Sequence, residues 1–151
     1  MKIVATNRKA KRDYDILETF EAGIELKGME VKSLRSKGCS IDDSFCRIDR
    51  GEIFIYNMHI PEFEKSHYFK VDPKRERKIL LHKKEIKRLL GLTTQKRLTI
   101  IPLKVYFNNR GLAKIDIGLA KGKRLYDKRK KIKEEIIERE TKRELKRFRY
   151  L

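Results

Sequence analysis

Asp42 and Asp43 are adjacent carboxylates of the kind that could hold a magnesium ion for phosphodiester cleavage, and Glu52 follows nearby in the sequence. Their adjacency argues against that use. Successive residues of a strand point to opposite faces, so neighbouring carboxylates there do not converge on one ion, and a loop or strand-entry role is expected. The other reactive types are equally scattered. His59, His67 and His82 have no second histidine one helical turn away and no cysteine cluster beside them, which removes the usual zinc patterns. His82 and Glu85 open a basic helical pattern, where they read as a cap and a solvated pair. Cys39 and Cys46 are too few for a disulfide framework. Cys46 reads as a buried small residue and Cys39 as a loop residue beside Gly38. Gly118-Leu-Ala-Lys-Gly122-Lys lacks the spacing of a phosphate loop, and no Gly-x-Ser-x-Gly elbow occurs. The expectation is a protein that is not an enzyme and uses no cofactor and no metal.

Binding chemistry is better represented. The 151 residues carry 40 Lys and Arg against 22 Asp and Glu, a net charge of +18. Such a field attracts polyanions and repels further copies of the chain, so a monomer bound to nucleic acid is expected. A membrane is a poorer partner, because no run approaches the roughly 18 apolar residues of a span. The N-terminus has charge but no apolar run of a signal peptide, which points to the cytoplasm. Phosphates are held by Lys and Arg, and Asn7-Arg-Lys-Ala-Lys-Arg12 supplies a row of such donors: Asn7, Arg8, Lys9 and Arg12. Arg35, Lys114, Lys121 and Lys123 add more. Glu21 stands apart. A carboxylate amid a basic binding face repels phosphate, so its use would be to accept from a base amino group or a 2′-hydroxyl, or to orient an arginine. An ordinary surface strand residue is the alternative.

These residues need elements to position them. Residues 1–13 read as a flexible N-terminal arm. Tyr14 to Glu21 reads as a strand, with Ala22-Gly23 as a bend or bulge, and Gly28–Lys37 as a short helix with Met29, Val31 or Lys32, and Leu34 or Arg35 at turn spacing and Gly38 as its stop. Two apolar runs around Asp49-Arg-Gly51 predict a hairpin. Residues 61–78 read as a long loop. His82 to Gly91 predicts a helix with an Ile86, Leu89, Leu90 stripe, ended by Gly91. Leu98–Phe107 and Leu112–Ala120, joined by Asn108-Asn-Arg-Gly111, predict a second hairpin, with Pro102 implying an edge or a bulge. The class is mainly β: a small antiparallel barrel of the oligonucleotide-binding type with two or three short helices, against an open α+β sheet. The expected division is a barrel over 1–120 and a basic tail over 121–151. That tail holds 14 Lys or Arg against six Asp or Glu, with no Gly or Pro after Gly122. It is too polar to fold alone yet suited to a helix, so it is expected to order on a polyanion.

Asn7-Arg-Lys-Ala, Phe20-Glu-Ala-Gly23, Glu30-Val-Lys-Ser-Leu-Arg35, Asp43-Ser44, Tyr56-Asn-Met-His-Ile60 and Asp72-Pro73 follow one another in a familiar order. Arg77-Lys-Ile-Leu-Leu-His-Lys-Lys-Glu-Ile, Pro102-Leu-Lys-Val-Tyr-Phe107, Leu119-Ala-Lys-Gly-Lys, Asp127-Lys-Arg129 and Ile132-Lys-Glu134 continue it. In this the chain resembles the small protein B family, the tmRNA-binding proteins of bacterial trans-translation. The resemblance runs over about 7–134. Position 12 is Arg, where the family often has His, and after Glu134 the sequence matches only in character.

The resemblance implies a barrel that grips the tRNA-like domain of tmRNA and a tail that is disordered when free and helical in the ribosome. It implies RNA-facing roles for Asn7, Arg8, Glu21, Arg35, Leu80 and Lys114. It places Tyr126, Asp127, Lys128, Arg129, Ile132 and Lys133 in the decoding centre and the empty mRNA channel. The function so implied is an RNA-binding adaptor that brings tmRNA to stalled ribosomes. The rivals are a metal-dependent RNA-processing enzyme using Asp42, Asp43 or Glu52, and a structural ribosomal protein.

Overall fold

The computed structural model of the chain describes residues 1–63, 71–123 and 136–143. Its elements are β1 (Lys2–Thr6), α1 (Ala10–Asp13), β2 (Tyr14–Ile24), α2 (Gly28–Lys37), β3 (Phe45–Asp49), β4 (Glu52–Tyr56), β5 (Arg77–Leu80), α3 (Lys83–Lys96), β6 (Thr99–Phe107) and β7 (Ala113–Gly122). Residues 136–143 are helical. Every strand pairing is antiparallel, and the sheet closes on itself in the order β6-β3-β4-β5-β2-β7-β6, with β1 added along β6. The closed antiparallel sheet with few short helices is the class expected from the pattern.

Closure is uneven. Long ladders make two ribbons, β2-β7-β6 and β3-β4-β5. The ribbons meet at two narrow seams: Cys46 opposite Ile100, and Gly23 and Ile24 opposite Leu80 and Ile79. Inward residues of both ribbons fill the space between them. Ile53, Ile55, Met58, Ile79, Val105, Ile115 and Ile117 are all at or near zero exposure, and each fully buried side chain of this size contributes about 1.5–3 kcal/mol.

Local sequence accounts for the turns. The β3–β4 hairpin closes on Arg50 and Gly51, both left-handed (φ 54° and 77°), as a two-residue turn matched to strand twist requires. Helix α2 spans the expected residues and ends at Gly38, at φ 78°. Its buried residues are Glu30, Ser33 and Leu34, so of the expected series only Leu34 is fully buried.

Other expectations are corrected. Instead of a flexible arm, residues 2–6 form β1, because β6 outlasts its pairing with β3 and offers β1 an edge at Lys104–Phe107. Ala22-Gly23 is neither a bend nor a bulge. The irregularity in β2 falls earlier, between Ile16 and Glu18, and Gly23 lets β2 pass from β7 to β5 with Leu80 close against it. Gly91 does not end α3. The helix continues to Lys96, with the Thr93 hydroxyl donating to the Leu89 carbonyl and Thr94 to Leu90, and stops at left-handed Arg97. A glycine costs about 1 kcal/mol inside a helix, which packing of Ile86 and Leu89 offsets. Leu90 is 45% exposed, so it leaves the expected stripe. Pro102 marks a bulge, as one of its two expected roles had it, in an inner strand. Strand β5 begins at Arg77, inside the segment read as loop. Strand β7 runs to Gly122, past the expected boundary at 120.

Candidate nucleic-acid interface

Alternation places the candidates on β7. Ile115 and Ile117 point into the core, so Lys114 and Asp116 face outward. Register then assembles one row across four strands: Tyr106 of β6, Lys114 of β7, Gly23 of β2 and Leu80 of β5. Leu80 is 49% exposed. Its side chain packs over Gly23, with Lys114 on the far side of that glycine, their Cα atoms about 10 Å apart at two strand spacings. Next to this row, exposed Glu21 sits opposite Asp116. Three of the RNA-facing candidates, Glu21, Leu80 and Lys114, therefore share one outer face.

Two carboxylates directly opposite destabilise a sheet unless something relieves them. Lys104 approaches Asp116 (Nζ–Oδ2 3.5 Å), and the Tyr106 hydroxyl donates to Asp116 Oδ1 at 3.3 Å. Tyr106 also lies within hydrogen-bonding reach of Glu21. Burial first, then the two carboxylates, push its phenol well above the usual range, so it stays a donor. One hydroxyl proton cannot satisfy two carboxylates. Glu21 is left as an exposed acceptor, able to take hydrogen bonds from a base or sugar edge and unsuited to phosphate.

About seven residues back along β2, roughly 23 Å by strand rise, lies the turn at 7–9. Asn7 is buried here, and its amide is spent internally. Its Nδ2 donates to the Pro102 carbonyl (2.9 Å), its backbone N–H to the Leu103 carbonyl (2.8 Å), and its Oδ1 accepts from the Lys9 N–H (3.2 Å). Asn7 thus ties the turn to the β6 bulge and presents its neighbours. Arg8, Lys9 and Arg12 are exposed. Asp42 and Asp43 lie in a turn, not on a strand, and both meet this segment: Asp42 accepts from the Arg8 N–H (3.4 Å), and Asp43 pairs with Lys9 (3.1 Å). A cleft of about 290 Å³ separates the two segments, lined in part by Tyr14, Ser44 and Phe45.

Lys121 is exposed opposite Asp15. Lys123 is not a surface cation. Its side chain is 8% exposed, its Nζ donates to the Lys11 carbonyl (3.0 Å), and its N–H to the Asp13 carbonyl (3.0 Å). Arg35 reaches from α2 to the tip of the β6–β7 hairpin, donating to the Gly111 carbonyl (3.1 Å) and lying over the Phe107 ring (5.2 Å). Tyr126, Asp127, Lys128, Arg129, Ile132 and Lys133 lie outside the described residues.

Sequence reasoning missed a charged cluster inside the protein. Arg77, at 0% exposure, donates to Glu30 Oε2 (2.5 Å), the Met58 carbonyl (2.6 Å) and the Pro73 carbonyl (3.0 Å). Arg75 takes Glu30 Oε1, which also accepts from the Lys27 N–H. The only signal was a glutamate at the third position of a helix beside an apolar stripe. Among the described residues, no group of three or more His, Cys, Asp or Glu is arranged to hold a metal, and no helix is long and apolar enough to cross a membrane. Burial pushes the Cys39 thiol up to about 12 and that of Cys46 up as well, which disfavours the thiolate at both.

The family model described as SmpB protein matches residues 4–147. An SsrA-binding protein of Thermosipho melanesiensis is 58% identical over 146 residues, 97% of this chain and 99% of that one. An SsrA-binding protein of Thermus thermophilus is 53% identical over 139 residues, 92% of this chain and 96% of that one. Among solved structures, a chain from "tmRNA-SmpB: a journey to the center of the bacterial ribosome" superposes with a TM-score of 0.67 at 52% identity, covering 85% of this chain and 94% of that chain.

Proposed function

The chain belongs to the SmpB protein family, and on that premise we propose that it is a non-catalytic RNA-binding adaptor of trans-translation. It binds the tRNA-like domain of tmRNA through the barrel and accompanies it to stalled ribosomes in the cytoplasm. The observation that carries this reading is the outer row itself: an exposed acceptor, Glu21, beside an apolar Leu80 and a cationic Lys114. That set fits a folded RNA presenting donor edges, base or sugar faces and phosphates together, and it does not fit a plain polyanion. Arg8, Lys9, Arg12 and Lys121 extend the contact along the same ribbon, while Asn7 and Lys123 act by holding the segments that carry them.

The tail has the second task. A channel built for a polyanionic message accepts a polycationic helix, and Tyr126 to Lys133 is the portion assigned to the decoding centre and mRNA channel. Because Lys123 is fastened to α1, the functional boundary falls after residue 123. A chain truncated there is expected to keep its affinity for the tRNA-like domain, measured by filter binding, and to fail in tagging on stalled ribosomes. Loss of tmRNA binding on truncation would overturn this division of labour.

A further inference from the structure

Helices α2 and α3 distribute charge in opposite ways. Helix α2 has Glu30 in its first turn and Arg35 and Lys37 in its last, as the helix dipole favours. Helix α3 opens on Lys83 and Lys84. Of its fourteen residues five are cations, Lys83, Lys84, Lys87, Arg88 and Lys96, against the single acid Glu85. Cations in a first turn oppose the dipole, and they do so here in a chain already at +18.

Among the described residues their relief is partial: Glu85 shares the first turn, and Glu18 pairs with Arg88 alone. Lys83, Lys84 and Lys87 are exposed, and among the described residues none of the three has an ion-pair or hydrogen-bond partner. Arg88 reaches Glu18 (Nη1–Oε1 2.6 Å) and keeps 58% of its side chain exposed. Lys83 with Lys87, and Lys84 with Arg88, stand one turn apart, so the four heads form a compact block. The opposite stripe, Ile86 and Leu89, is locked in the core, which fixes the direction the block faces. Lys83 follows Leu80 by three residues, so their Cα atoms are within about 11 Å. The block thus adjoins the outer row at its Leu80 end.

We infer that the exposed face of α3 continues the RNA-binding surface and takes the phosphate backbone of the RNA held by Glu21, Leu80 and Lys114. This rests on the proposed function. An RNA covering Leu80 has its next phosphates beside Lys83 and Lys84, and Lys87 and Arg88 follow along the helix.

The test is the full-length triple variant Lys83→Gln, Lys84→Gln, Lys87→Gln, titrated with the isolated tRNA-like domain of tmRNA over a range of salt. Each lost phosphate contact lowers the slope of log K against log salt by about 0.7–0.9, so a drop of about 2–3 is expected. The triple Lys→Arg variant is expected to retain the parental slope. The thermal midpoint of the Gln variant is expected to match or exceed the parent's, since the dipole is relieved. If it melts early, Lys87→Gln alone is expected to lower the slope by about one. An unchanged slope overturns the inference, as does a loss confined to binding of ribosomes, which would give the face to another RNA. If the parent itself fails to bind the tRNA-like domain, it is the proposed function that falls.

Discussion

Glu30 and Glu21 are both carboxylates set among donors, and the fold treats them differently. Glu30 is 3% exposed and saturated: Arg75, Arg77 and the Lys27 N–H occupy its oxygens, and Arg77 spends its remaining nitrogens on two carbonyls. Glu21 is exposed and shares one tyrosine hydroxyl with Asp116. The first arrangement leaves nothing for a partner and holds α2 against β5 and the loop before it. The second is left short of donors, in a protein rich in them elsewhere. Charge buried and complete serves the fold; charge exposed and incomplete is what a ligand can complete.

The comparison breaks most easily at Arg77. Arg77→Met leaves Glu30 buried beside one arginine, and removal of one member of such a pair costs about 3–5 kcal/mol. Denaturant unfolding should show that loss, and adding Glu30→Met should restore much of it. A smaller effect, and on binding alone, is expected from Glu21→Gln. The carboxylate's hydrogen bonds to a neutral donor are worth about 1.5–3 kcal/mol, so affinity for the tRNA-like domain should fall about 10- to 100-fold. The unfolding midpoint should stay within the range of surface substitutions. A large stability loss there would mean that Glu21 also serves the fold.

The mildest effect comes with pH. Burial alone would raise the Glu30 pKa, but hydrogen bonds from Arg75, the Lys27 backbone and Arg77 outweigh it and hold it below its ordinary 4.5. A depressed folded-state value means stability that is present above the ordinary value and lost as pH falls through the depressed one. Acid titration of stability should therefore show a loss below about pH 4.5 that Glu30→Gln flattens.

Much of this was legible in the chain because the signals are local. Arg50-Gly51 needs left-handed backbone, Gly38 stops α2, and Lys114 and Asp116 alternate with Ile115 and Ile117; each can be read within a few residues. What escaped is what depends on distant partners. Nothing near Glu30 names Arg75 or Arg77, and nothing in residues 2–6 names the spare edge of β6. Asn7 and Lys123 show why donor types mislead. An amide or ammonium that suits a phosphate suits a backbone carbonyl equally well, and only the fold decides which it meets.

The two narrow seams carry a consequence for how the chain reaches this state. The β3–β4 and β6–β7 hairpins form from near neighbours, whereas the β2–β7 ladder and the Cys46–Ile100 and Gly23–Leu80 seams join residues far apart in sequence. Such contacts require loop-closure entropy to be lost before they return anything, which makes them slow to form. The barrel is thus two fast hairpins joined by later long-range pairings, and Gly23, which meets both Lys114 and Leu80, belongs to those pairings and to the outer row. The row that bears Leu80 and Lys114 exists only once the chain has finished folding.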